Sequence, residues 1–232
     1  MIHHQHAQGS PEWIAARRGV VTGSRFKDCR AKLKNGQPAN VCLAYAYDVA
    51  RERCGGTAPS KYQNAAMRIG VEQESHAVRM YEVRTGYLTE EVGFFTTEDG
   101  MFGLSPDRLI DDDGVLEVKT LVSSDTLFTA LAAGDVSEYM DQCLGYLWLL
   151  ARKWVDLVLW VPDLQHMTIK RITRDENAIE ALEADLIAFA KIVADNEAAL
   201  RRALGQTQPA PVAPAVPAKV AITATALPET IF

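Results

Sequence analysis

The chain has 232 residues, 48% of them hydrophobic, enough for one globular domain with a sizeable core. Its formal net charge of −6 counts against holding a polyanion by bulk attraction alone, although acids that bind divalent ions regain two positive charges per ion. No apolar run reaches the roughly 18 residues of a membrane span, no basic-then-apolar leader opens the chain, and the cysteines (Cys29, Cys42, Cys54, Cys143) show no CxxC or zinc spacing, which reads as free thiols in a reducing cytoplasm.

Residues 1–9, with His3, His4 and His6, have few apolar partners and are expected to be disordered, ahead of a single domain at 10–205. Ser10-Pro11-Glu12 starts a helix, with Ser as N-cap and Pro in the first turn, and this helix carries Trp13 and Arg17. After Val20-Val21-Thr22, Gly23-Ser24 opens a second helix. An Arg at one helix end and a Ser at the next helix start can cradle a phosphate, although spacing alone favours an ordinary surface Arg and an ordinary cap. Residues 32–40 form a polar loop whose two lysines are solvated or touch a polyanion. Helices are predicted over Val41–Cys54, ending at Gly55-Gly56, and over Gln63–Thr85, ending at Gly86. Within the latter, GVEQE holds Glu74 near the middle, with Glu72 on a different face.

Val92–Thr97 reads as a strand leading into the stretch that carries the chemistry, GLSPDRLIDDDGVLEVKT. A strand over Met101–Ile110, an Asp-rich turn closed by Gly114 as the left-handed residue, and a strand over Val115–Thr120 make a hairpin. The two-residue period of a strand puts Glu117 and Lys119 on one face, with Asp107 across the hairpin. Two carboxylates can hold a hard cation while the ammonium steadies an anion. Alone, the D…ExK string also fits the solvated face of an edge strand. Helices follow at Ser123–Ala133 and from about Val136 to Arg152, the latter carrying Gln142 and Tyr146 on one face. Trp154–Val161 and Met167–Ile172 are strand-like. From Asp175, Ile179, Leu182, Leu186, Phe189 and Val193 mark an amphipathic helix lying on the core or at a subunit contact. Residues 206–232, Pro- and Ala-rich, read as a flexible tail.

The string SPDRLI…VLEVK resembles the PD-(D/E)XK nuclease motif in the form found in the lambda exonuclease (YqaJ-type viral recombinase, alkaline exonuclease) family. WIAARRGVVTGS, GVEQE and YMDQCLGYLW stand in the family's order, so the resemblance runs from about Ser10 to Arg202. It implies an α/β (α+β) restriction-endonuclease-like fold, a central mixed β-sheet flanked by helices. It also implies a Mg²⁺-dependent (Mn²⁺ as substitute), two-metal, processive 5′-to-3′ exonuclease on linear double-stranded DNA. Such an enzyme releases mononucleotides and leaves 3′ single strands for recombination by annealing.

By the same resemblance, Asp107, Glu117, the backbone carbonyl of Val118 and Glu74 are metal ligands, Lys119 orients or deprotonates the attacking water, and Gln142 orders the site with Tyr146 in support. Arg17, Ser24 and Ser105 bind the 5′-phosphate of the DNA end. The second Gln often found two residues after the first is Leu144 here, which leaves its contact unsupplied. A homotrimeric ring is implied, and encirclement of DNA would answer the −6 charge. A single-strand annealing protein is the implied partner, and a bacterial or phage-infected cytoplasm the implied location. Two alternatives stand beside this reading: another PD-(D/E)XK nuclease (an endonuclease or a RecB-like 3′-end enzyme), and a non-catalytic DNA-end-binding module. The Arg17–Ser24–Ser105 set counts against the first, and the complete Asp–Glu–Lys set against the second.

Overall fold

The computed structural model describes residues 1–57 and 65–206. The tail from 207 on, and the expected helix start at Gln63, lie outside the described residues. In chain order the elements are β1 (Ile2–His4), α1 (Pro11–Ala16), β2 (Val21–Thr22), α2 (Phe26–Arg30), α3 (Asn40–Arg53), α4 (Ala65–Thr85), β3 (Thr89–Glu90), β4 (Phe94–Thr96), β5 (Phe102–Leu104), β6 (Arg108–Ile110), β7 (Gly114–Thr120), α5 (Ser124–Leu127), α6 (Ser137–Leu149), β8 (Trp154–Val161), β9 (His166–Thr173) and α7 (Glu176–Ala203). A 3₁₀ turn, Gly23–Arg25, leads into α2, and a π turn, Phe128–Ala132, follows α5.

The strands form two mixed sheets, one of four strands in the order β1-β4-β5-β2 and one of five in the order β3-β6-β7-β8-β9. Parallel pairing of β7 with β8 needs a crossover, which α5, the π turn and α6 supply. One face of the five-stranded sheet presents Val115, Val155, Leu157 and Leu159 to the larger core, which α3, α6 and α7 close. The other face presents Leu116, Val158 and Trp160 to Ala77, Val78 and Tyr81 of α4. The expected amphipathic residues of α7 are all buried in the core, so its apolar stripe faces inward, not toward a subunit contact. Helix α6 is apolar all round from Cys143 to Leu149 because it is enclosed. At Gly145 an added Cβ would lie 2.6 Å from the Phe26 ring, so α2 packs directly on the backbone of α6.

Four details differ from the sequence reading. Residues 1–9, expected to be disordered, include β1, which adds to the free edge of β4, with the His3 ring stacked 4.2 Å from Phe95. The expected strand Met101–Ile110 is interrupted at Ser105–Asp107. Pro106 offers no N–H to a ladder, and there the chain leaves one sheet for the other. In the hairpin turn, Asp111 takes the left-handed conformation (φ 44°), a role Asp tolerates. Gly114 instead lies within β7, where a Cβ would meet the Trp154 ring at 2.4 Å. The two-residue strand β3, paired with β6, carried no sequence signal.

Candidate active site

The break at Pro106 creates the site. Strand β6 pairs with β7 only from Arg108 opposite Leu116 to Ile110 opposite Gly114, so the later residues of β7 have a free edge. Asp107, just before β6, fills that edge: its Oδ2 accepts the Val118 N–H at 2.7 Å. Glu117 and Lys119 share the face toward α6, as the strand period requires, and Glu117 is only 2% exposed. Its Oε1 accepts from Lys119 Nζ at 2.6 Å and from Gln142 Nε2 at 2.7 Å, and its Oε2 accepts from the Tyr146 hydroxyl at 2.6 Å. Gln142 Oε1 also accepts from Lys119 Nζ at 3.0 Å, so one α6 side chain braces both ionic partners. Leu144 is buried in the core and makes no polar contact at the site.

The charges are strained against one another. The Asp107 carboxyl is pushed well above the usual carboxylate range by burial and by the nearby charges of Glu117 and Glu74. Glu74 is likewise raised by burial, against the opposing pull of Arg108. Burial works against the Lys119 ammonium, but Glu117 and Asp107 outweigh it and the net shift is upward, so Lys119 is a cation here. Burial and the same two acids raise Tyr146, which stays a phenol and donates.

The donors suit a hard divalent ion: carboxylate and carbonyl oxygens, with excess negative charge that a cation would relieve. Asp107, Glu117 and the Val118 carbonyl would hold it. The described residues contain no ready-made cluster of three His, Cys, Asp or Glu, and Glu74 pairs with Arg108 at 3.2 Å. Arg108, adjacent to the motif, is a member of the site that sequence reasoning missed. Its only linear signal was its place beside Asp107.

A cleft of about 200 Å³ joins this constellation to the expected phosphate cradle: Arg17, Ser24 and Ser105 line it together with Asp107, Glu117 and Lys119. The Arg17 guanidinium lies 4.2 Å from the centre of the Trp13 ring and 5.1 Å from that of Phe94, and burial lowers its pKa. Among the described residues it has no carboxylate partner. Ser105 Oγ and Trp13 Nε1 are buried and make no hydrogen bond, so the cleft presents two unsatisfied donors beside an unpaired cation. In sequence Trp13 is one residue of the first helix, and only the fold brings its ring to the cleft. All the residues singled out in sequence except Glu74 line this cleft, and Glu74 approaches from α4 through Arg108.

The model of the YqaJ-like viral recombinase domain matches residues 12–152 of the chain. Among solved structures, the alkaline exonuclease LHK-Exo from Laribacter hongkongensis is similar with a TM-score of 0.73 and 33% identity, over 84% of this chain and 99% of that one. The structure of LHK-Exo in complex with dAMP gives 0.74 and 32%, over 84% and 98%. A phage-related exonuclease from Haemophilus somnus 129PT shares the fold at a TM-score of 0.59 and 15% identity, over 79% of this chain and 96% of that one. No curated protein matched.

Proposed function

This chain belongs to the YqaJ-like viral recombinase family and is a DNA exonuclease, and from that premise we propose that it digests linear duplex DNA from a 5′-phosphorylated end toward the 3′ end, with Mg²⁺ as cofactor. The observation that carries this reading is the shared cleft, where a cationic, donor-rich pocket opens directly onto the Asp107–Glu117–Lys119 group. A terminal phosphate seated on Arg17, Ser24 and Ser105 leaves the next phosphodiester beside the carboxylates. Cleavage there removes one nucleotide, and a relative holding dAMP fits a mononucleotide product.

Mg²⁺ held by Asp107, Glu117 and the Val118 carbonyl would supply charge neutralisation at the scissile phosphate. The chain's own groups do the rest. Lys119, its ammonium held by Glu117 and Gln142, supplies positive charge beside the scissile phosphate, and Gln142 and Tyr146 hold Glu117 fixed so that little reorganisation is needed during reaction. With Glu117 and Gln142 as its acceptors, the Lys119 ammonium is held in place as donor and counter-charge beside the attacking water.

Duplexes bearing 5′-phosphate are expected to be degraded roughly 10-fold or more faster than 5′-hydroxyl duplexes, since a charge-assisted contact contributes about 1.5–3 kcal/mol. Arg17→Ala is expected to erase that difference while leaving slow digestion of both. Equal wild-type rates on the two ends would remove the pocket from the account.

We further propose that the chain acts as a homotrimeric ring, leaving 3′ strands for an annealing partner. A net charge of −6 does not supply the counterion release that holds proteins on B-DNA, and encirclement does not need it. The expected mass in solution is three times 25.5 kDa, with digestion continuing after excess competitor duplex is added. A 25.5 kDa particle that competitor halts would exclude the ring.

A further inference from the structure

Glu74 reaches the site from the wrong side of the sheet. Helix α4 packs on the Leu116–Val158–Trp160 face, whereas Glu117 and Lys119 project from the other. The apolar contact that holds the helix is slight, since of its residues only Ala77, Val78 and Tyr81 are buried. Smooth contact of that kind does not fix how far a helix slides or turns. Polar hooks do so. Arg108 holds Glu74 itself and Thr89 donates to Glu82, and three more reach β8 and β9: Gln73 Oε1 accepts from Trp160 Nε1 at 3.2 Å, the Tyr81 hydroxyl donates to Asp156 Oδ2 at 2.6 Å, and Arg84 Nη1 donates to the Met167 carbonyl at 2.7 Å.

The middle hook is unusual. Asp156 is 1% exposed, in the body of β8, and lies in register with Leu116, next to Glu117. Its carboxylate is saturated by Tyr81 and by a two-pronged bond from Arg171, with Nε–Oδ1 and Nη2–Oδ2 both 2.8 Å. Arg171 is in turn flattened on the Trp154 ring at 3.8 Å. Only Asp156 is buried, and the Arg171 side chain is 42% exposed, so water screens the pair and its attraction alone adds little stability. What it offers is a directional anchor. Tyr81 lies seven residues after Glu74, two helical turns along the same face, so fixing Tyr81 fixes Glu74 in both height and rotation.

We propose that Tyr81 and Asp156 are positioning residues for the metal site: the Tyr81–Asp156 bond sets the rotation of α4 that brings Glu74 toward Asp107. The inference rests on the reading of Glu74 as a cation ligand. It extends the site to a residue on the opposite face of the sheet that no motif marks.

The test uses Tyr81→Phe, which deletes one oxygen and leaves Asp156 paired with Arg171, alongside Glu74→Gln and the double variant. Mn²⁺ binding to the DNA-free protein is read from the electron paramagnetic resonance of the free ion, and the Mg²⁺ concentration for half-maximal digestion is measured in parallel. Tyr81→Phe is expected to weaken Mn²⁺ binding and raise half-saturation about 10-fold, the scale of lost outer-sphere support, with the rate at saturating Mg²⁺ within twofold of wild type. The double variant is expected to be no worse than Glu74→Gln alone, because both changes act through one carboxylate. A clamp that only stabilised the fold would lower the melting temperature and leave half-saturation unmoved. Additive losses, or a wild-type metal response in Tyr81→Phe while Glu74→Gln is shifted, would overturn the clamp alone. An unshifted Glu74→Gln would overturn the ligand reading of Glu74 and the purpose of the clamp together.

Discussion

Asp107→Asn is expected to abolish digestion, by at least about 10³-fold, and to make the metal-free protein more stable. The rate loss follows because a metal ligand supports several kcal/mol of charge stabilisation and each 1.4 kcal/mol is about tenfold. The gain in stability has its own physics. The Asp107 carboxyl is raised above its unfolded value by burial and by Glu117 and Glu74. An acid raised in this way binds its proton more tightly folded than unfolded. Stability is therefore highest below the ordinary carboxylate range and falls as pH rises toward the folded value. At neutral pH Asn removes that penalty, and its side-chain carbonyl can still accept the Val118 N–H. Melting in EDTA at neutral pH is expected to favour Asn, with the advantage vanishing in acid. A less stable variant that digests DNA normally would contradict the assignment.

Lys119→Met is expected to lower the rate about 10²–10³-fold, the effect of removing one aimed charge donor, while Mg²⁺ binding persists or tightens. Methionine keeps the stem length but leaves Glu117 with only the neutral donors Gln142 and Tyr146. Breaking a fully buried pair costs roughly 3–5 kcal/mol, and the cost here is smaller because Lys119 keeps contact with solvent. A bound divalent ion replaces the lost charge, so Mg²⁺ is expected to raise the melting temperature of the variant more than that of the wild type. Wild-type turnover by Lys119→Met in Mg²⁺ would remove Lys119 from the reaction.

The sequence was most legible where chemistry is local. The cap at Ser10 accepts the backbone N–H bond expected of it, and the apolar spacing of α7 marked its buried face. The pairing of Glu117 with Lys119 followed from the strand period alone. What escaped depended on distant partners. Strand β1 forms on the open edge of β4, Asp111 and not Gly114 takes the left-handed turn, and Gly114 is a glycine where the Trp154 ring packs on the strand. The buried Asp156 is explained by Arg171 on the neighbouring strand and by Tyr81, 75 positions away. The Arg17–Ser24–Ser105 set came from resemblance, since no spacing rule links residues so far apart; Trp13 became a member of the site only when the cleft was assembled, and Arg108 only through its ion pair with Glu74.

The direction of digestion tests the central claim most directly. A linear 5′-phosphorylated duplex is labelled on one strand, in one sample at its 5′-terminal nucleotide and in another at its 3′-terminal nucleotide. It is then incubated with the protein in Mg²⁺ and in EDTA. The account requires the 5′ label to leave at once as a mononucleotide in Mg²⁺, the 3′ label to stay in long strands until late, and nothing to be released in EDTA. Early release of the 3′ label, or internal fragments in place of mononucleotides, would contradict it.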